Sequence, residues 1–330
     1  MPLRVIEYRQ LIQILVLFLI VQFLGLLLAT QVYSVATLVQ LTGAQVVSSS
    51  INALFYIIYI VVVSAVLLFL FKFFKGDKLF VLIEGIVIFI ASAMVFLIAI
   101  GSANGGLASD LFGTGNLYDF VAAAILALAL VVAKNRVPKL RNLAAIISSV
   151  GVGVILGITF SFFIAFIFMV LLAVYDFIAV FITKHMVALA DMAISKNLSF
   201  LIMVNEIKAV PEKSLTANER AEFEKQRSSL LKQGGMLKNL VNSNMVPVAA
   251  RTALGTGDLA MPLMMSVAAY KVFANFTLSI VIIIGAAFGL ILTMFILRKF
   301  KRALPAIPPL LLGIVAAIAI YFALTGSLTL

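Results

Sequence analysis

The chain of 330 residues contains no cysteine and one histidine, His185. The first absence excludes disulfides, thiolate nucleophiles and cysteine-ligated metals. The second excludes a zinc site of the His-Glu-x-x-His kind, and His185, beside Lys184, reads as a residue of the cytoplasmic interface. Charge is also scarce. Only 11% of residues are charged, against roughly 25% in a soluble domain, and 13 are acidic. Neither a nucleotide-binding glycine-rich loop nor a repeat of fixed period is present, so no cofactor is expected.

What fills the chain instead is apolar: 64% of residues are hydrophobic and the mean hydropathy is +1.22. So much apolar surface demands lipid, and the fold class expected is an all-α polytopic membrane protein. The first apolar run, from Leu11, is too long for the core of a signal peptide, and no small-residue cleavage site follows it. The net charge of +11 does not point to nucleic acid. The bases sit in short loops beside apolar runs, where they set topology.

Nine runs are long enough to cross a bilayer: 11–33, 52–74, 79–101, 118–133, 143–159, 161–183, 248–270, 273–297 and 307–324. The region 143–183 is long enough for two crossings, with Gly157 to Ser161 as the tight turn. Basic and base-poor loops alternate along the whole chain, Lys271 being the one base on the poor side. The positive-inside rule then puts the N-terminus in the cytoplasm and the C-terminus outside. The segments expected are 1–159, a scaffold of five spans; 160–184, the sixth span; 185–246, a cytoplasmic loop; and 247–330, the last three spans. Within the loop, 211–238 reads as a solvated helix or a mobile loop, and Gly234-Gly235 would end a helix.

Ionisable groups in lipid are costly and usually functional. Three acids fall well inside predicted spans: Glu84, Asp176 and Asp258. Glu84 reads as a carboxylate held by a basic neighbour. Asp176 lies about 12 Å along a helix from Lys184, and Asp258 about 10 Å from Arg251. Their spans run antiparallel, so the two carboxylates can face each other at one depth. Paired carboxyls in a low-dielectric site hold one proton between them and titrate together. That is the arrangement of an aspartic-protease dyad, and it needs no metal, cysteine or histidine. Intramembrane acids equally serve proton-coupled transport, and charge placement alone leaves the two readings open.

The residues around these acids are more specific. Tyr175-Asp176 lies in the sixth span, Gly255-Thr256-Gly257-Asp258 opens the seventh, and Leu304-Pro305-Ala306-Ile307-Pro308-Pro309-Leu310 leads into the ninth. In this order the three motifs resemble those of the presenilin and signal peptide peptidase family of intramembrane aspartyl proteases, most closely its archaeal presenilin-like members. The likeness covers mainly 160–330. It implies that Asp176 and Asp258 are catalytic, and that the motif residues position the substrate. One departure stands: the family's Pro-Ala-Leu is either Pro305-Ala306-Ile307 or Pro308-Pro309-Leu310. The resemblance also implies self-cleavage in the loop, with 198–213 as the candidate segment.

Expected substrates are transmembrane peptides or membrane proteins, including remnant signal peptides, within the bilayer of the cell membrane. Nothing marks a nucleic-acid or obligate co-subunit site. A substrate helix must unwind before its carbonyls become accessible, and an unwound strand needs new hydrogen-bond partners. Residues 198–204 and 245–248 could supply strand edges, though the first reads equally well as a membrane-surface segment. The rival functions are a leader peptidase of the prepilin or preflagellin type, which shares Gly-x-Gly-Asp, a proton-coupled transporter, and a structural membrane subunit.

Overall fold

A computed structural model describes residues 8–39, 77–105, 117–137, 140–183, 201–211, 245–300 and 304–325. Most of these are helical: α1 (Tyr8–Val39), α2 (Asp77–Asn104), α3 (Leu117–Arg136), α4 (Leu140–Thr159), α5 (Phe162–Phe177), α6 (Thr256–Phe273), α7 (Phe276–Phe300) and α8 (Ile307–Thr325). All of these except α6 are long and apolar enough, by length and composition, to cross a membrane, seven helices among the described residues. The predicted span 52–74 lies outside the described residues, as does the solvated segment after Pro211.

The expected turn between the fifth and sixth runs is present. Between α4 and α5 lie only Phe160 and Ser161, and the Ser161 hydroxyl accepts the Ile164 N–H at 3.5 Å as an N-cap. After Phe177 the backbone widens into one π-turn, Ile178–Ile182.

The seventh run departs from expectation. Its first residues are not helical: Met245–Gly255 is a strand, β2, paired antiparallel with β1 (Leu201–Pro211), and α6 begins only at Thr256. The sequence offered 198–204 and 245–248 as strand edges. The sheet is longer and starts later, with Leu201 opposite Gly255 and Pro211 opposite Met245. Cross-strand pairing decides such segments more than the propensity of Ala249, Ala250 and Ala253 does. The strand reading of 201–204 thus replaces the membrane-surface one.

Small residues hold the helices together, as they do where lipid removes the hydrophobic drive between helices. Leu263 of α6 projects into a socket made by Gly25 of α1 and Gly153 of α4, where a Cβ at Gly153 would lie 2.7 Å from Leu263 Cδ2. One turn on, Val267 faces Gly157. Contacts therefore climb together along α1, α4 and α6, and these three helices run parallel. On the other flank Gly285 and Gly289 of α7 meet Gly313 and Leu310 of α8 in the antiparallel sense, at backbone contact.

The three acids of the sequence reading are joined by a fourth, Asp119, which is buried in the first turn of α3 and accepts from Asn104 Nδ2 at 2.9 Å. Glu84 pairs with Lys134 of α3 at 2.9 Å, both side chains buried. The neighbour that holds this carboxylate thus comes from an adjacent helix.

Candidate active site

Asp176 and Asp258 sit on α5 and α6, which pack antiparallel. The register is set at the far end, where the Phe162 and Phe273 rings meet edge to face with centroids 5.2 Å apart. From there Asp176 is about 14 residues along α5 and Asp258 about 15 residues back along α6, or roughly 21 and 22 Å. The two acids are therefore level.

Local chain geometry fixes each carboxylate differently. Gly255, with φ −65° and ψ 140°, is the N-cap of α6, which makes Asp258 its third residue. From that position a carboxylate can reach back to the N-cap amide, and Asp258 Oδ2 turns towards Gly255. The free amides of a first turn also favour an anion there. Asp258 is half-buried, and Gly257 beside it is exposed; chain neighbours and the helix's own backbone aside, no atom of the described residues lies within 4 Å of where a Cβ would be. At Gly255 the case is opposite: a Cβ would stand 3.1 Å from Asp258 Oδ2. The close approach expected at both glycines is thus found at Gly255 only, and Gly257 borders open space. Thr256 is the first residue of α6 and half-buried.

Asp176 is buried near the end of α5, just before the π-turn. Its Oδ2 accepts the Ile307 N–H at 3.2 Å, and the Ala306 amide also contributes. Ile307 opens α8, so a carboxylate from another helix meets the amides that a helix start leaves without internal partners.

This geometry also separates the two proline registers. Pro305 and Ala306 form the non-helical approach, and Ile307, the first helical residue, gives Asp176 its amide. Pro308 and Pro309 already belong to the first turn of α8, where a missing N–H costs nothing, and the Leu310 N–H closes that turn on the Ala306 carbonyl at 3.3 Å. Pro305, Pro308 and Pro309 also border an apolar cavity of about 150 Å³, with Phe181, Thr293, Ile296 and Leu304. Tyr175 is half-buried next to Asp176. His185 lies outside the described residues. No group of three or more His, Cys, Asp or Glu side chains suited to a metal occurs among the described residues.

Sequence reasoning missed Gln22 of α1. Its side chain is fully buried and its amide donates to the Leu259 carbonyl, next to Asp258, at 2.8 Å. A polar residue in the middle of an apolar run was the available signal.

The fold is that of two solved structures of a presenilin family intramembrane aspartate protease, in C222 and P2 crystal forms. Both are 21% identical to this chain with a TM-score of 0.57. The first match covers 95% of this chain and 98% of the other, the second 94% and 96%. No curated protein matches the sequence significantly. The model of the family described as signal-peptide peptidase, presenilin aspartyl protease matches residues 15–326. With nearly its whole length matched, the chain belongs to the signal-peptide peptidase and presenilin family of aspartyl proteases.

Proposed function

We propose that the protein is an intramembrane endopeptidase in which Asp176 and Asp258 form the catalytic dyad. Its substrates are transmembrane segments or remnant signal peptides. What supports this most is the level placement of the two acids on antiparallel helices, with a helix N-terminus directed at one of them. The proposed topology has nine spans in the cell membrane, the N-terminus in the cytoplasm and the C-terminus outside. The parallel course of α1, α4 and α6 fits such an alternation.

The chemistry needs one proton shared by the pair. The ionised carboxyl takes a proton from a water, whose oxygen attacks the scissile carbonyl carbon, while the protonated carboxyl donates to the carbonyl oxygen. The resulting gem-diol collapses: the C–N bond breaks, the amine nitrogen takes the proton from the carboxyl that deprotonated the water, and the other, now ionised, carboxyl takes a proton from a gem-diol hydroxyl as the new carboxyl forms. The dyad returns to its starting protonation, and either aspartate can hold the proton at the start.

An unwound substrate strand requires hydrogen-bond partners. The β1–β2 sheet ends directly at Gly255, three residues before Asp258, so a strand added to its edge would run towards the dyad. The open side of Gly257 leaves room for such a backbone. The Pro305–Leu310 segment would hold the substrate's other side.

The test is cleavage of a transmembrane peptide by the full chain reconstituted in liposomes. Asp176→Asn and Asp258→Asn should each abolish cleavage while the chain still inserts and folds. Full activity in either variant would sink the assignment.

A further inference from the structure

Gln22 is a second polar feature beside Asp258, and the proposed chemistry does not use it. It sits near the middle of α1 at zero exposure, in a helix otherwise almost wholly apolar there. Its Nε2 donates to the Leu259 carbonyl at 2.8 Å, whereas its Oε1 is buried with no hydrogen-bond partner among the described residues. An unsatisfied buried amide oxygen destabilises a fold, so packing alone gives a poor reason for glutamine at this position.

The helix it touches has a local weakness. Pro262 lies inside α6. It lacks an N–H, so the carbonyl four residues earlier, that of Asp258, loses its helical donor, and the proline ring presses on it. The first turn of α6, which carries the carboxylate, is therefore weakly tied to the turn above. Gln22 supplies a donor to the neighbouring carbonyl, from a helix that runs parallel to α6. One turn further on, Gly25 of α1 receives the Leu263 side chain.

From this geometry we infer that Gln22 is a positioning residue, which fixes the height and rotation of the first turn of α6 and so holds the Asp258 carboxylate level with Asp176. The inference rests on the assignment of Asp258 to the dyad. It assigns α1 a part in catalysis although α1 carries none of the three motifs.

Gln22→Met, in the full chain reconstituted with a transmembrane peptide substrate, keeps the volume and removes both the donor and the orphan oxygen. The thermal midpoint should equal or exceed that of wild type and KM should not change. kcat should fall about tenfold, the worth of one buried hydrogen bond. Wild-type kcat overturns the inference. So does a lower midpoint or loss of fold, which would mark Gln22 as a helix-to-helix tie only. Gln22→Glu provides a second reading, because a protonated carboxyl can donate to the Leu259 carbonyl and a carboxylate cannot. Burial keeps that carboxyl protonated, so the kcat of this variant should lie well above that of Gln22→Met, and a kcat no higher than that of Gln22→Met overturns the inference. Asp258→Asn is assayed alongside. If it cleaves, the dyad assignment fails and this inference falls with it. If it is inactive while Gln22→Met runs at the wild-type rate, only the inference about Gln22 fails.

Discussion

Across 131 residues of chain, the Ile307 N–H donates to Asp176 Oδ2 at 3.2 Å. The bond makes the start of the last helix a partner of the acid on α5. It involves no side chain of the proline-rich segment, so replacing side chains there does not test it directly.

Ile307→Pro removes that donor, and proline is well tolerated at a first helical position; it also trims a buried side chain, for which Ile307→Ala is the control. A hydrogen bond to a charged group is worth about 1.5–3 kcal/mol, which corresponds to roughly 10- to 100-fold in rate. Cleavage should fall by that factor, and Ile307→Val, which keeps the N–H, should stay near wild type. Steady-state cleavage of a transmembrane peptide by the three variants checks it.

The two glycines of the Gly255–Asp258 motif should respond differently. Gly255→Ala sets a methyl 3.1 Å from the Asp258 carboxylate and should lower kcat by displacing it. Gly257→Ala meets open space and should fold as wild type. Gly257→Leu fills that space and should raise KM more than it lowers kcat, if a substrate backbone passes there. Separate KM and kcat values for the three variants decide between these outcomes.

These contrasts show how far the amino acids could be read unaided. The apolar runs yielded most of the described spans, because hydropathy over some 20 residues is a local property. Asp176 and Asp258 stood out because acids in apolar runs are rare. Partnerships between helices were not legible. That Glu84 would meet Lys134, and Leu259 would meet Gln22, depends on which helices become neighbours. The continuation of the strand from 248 to 255 was hidden for the same reason, since Ala249, Ala250 and Ala253 carry no strand preference until β1 lies alongside.

The Glu84–Lys134 pair should behave as a buried ion pair. Glu84→Leu or Lys134→Met alone leaves an uncompensated charge and should destabilise by about 3–5 kcal/mol. The double variant should recover most of that loss. Thermal unfolding in one detergent across the three variants measures the coupling, and strict additivity of the single losses would contradict it.

Close packing of α7 on α8 should govern activity at a distance. A Cβ at Gly289 would lie 2.5 Å from Leu310 Cα, a backbone atom that cannot swing aside. Gly289→Val should push the start of α8 away from α5, and cleavage should fall at least as far as in Ile307→Pro. Retained activity would show that Ile307 does not need this helix seam to reach Asp176.

The Leu263 socket has a genetic consequence. Gly25, Gly153 and Leu263 tie Asp258 to α1 and α4, whereas Asp176 is tied through Ile307 to α8 and, by Gly289 and Gly313, to α7. The two acids thus lean on largely different contacts, although α6 also meets α7 where the Ser279 hydroxyl donates to the Ser266 carbonyl at 2.9 Å. Second-site revertants of a partial defect near Asp258 should cluster in α1 and α4, and those of a defect near Asp176 in α7 and α8, with few crossing between the groups.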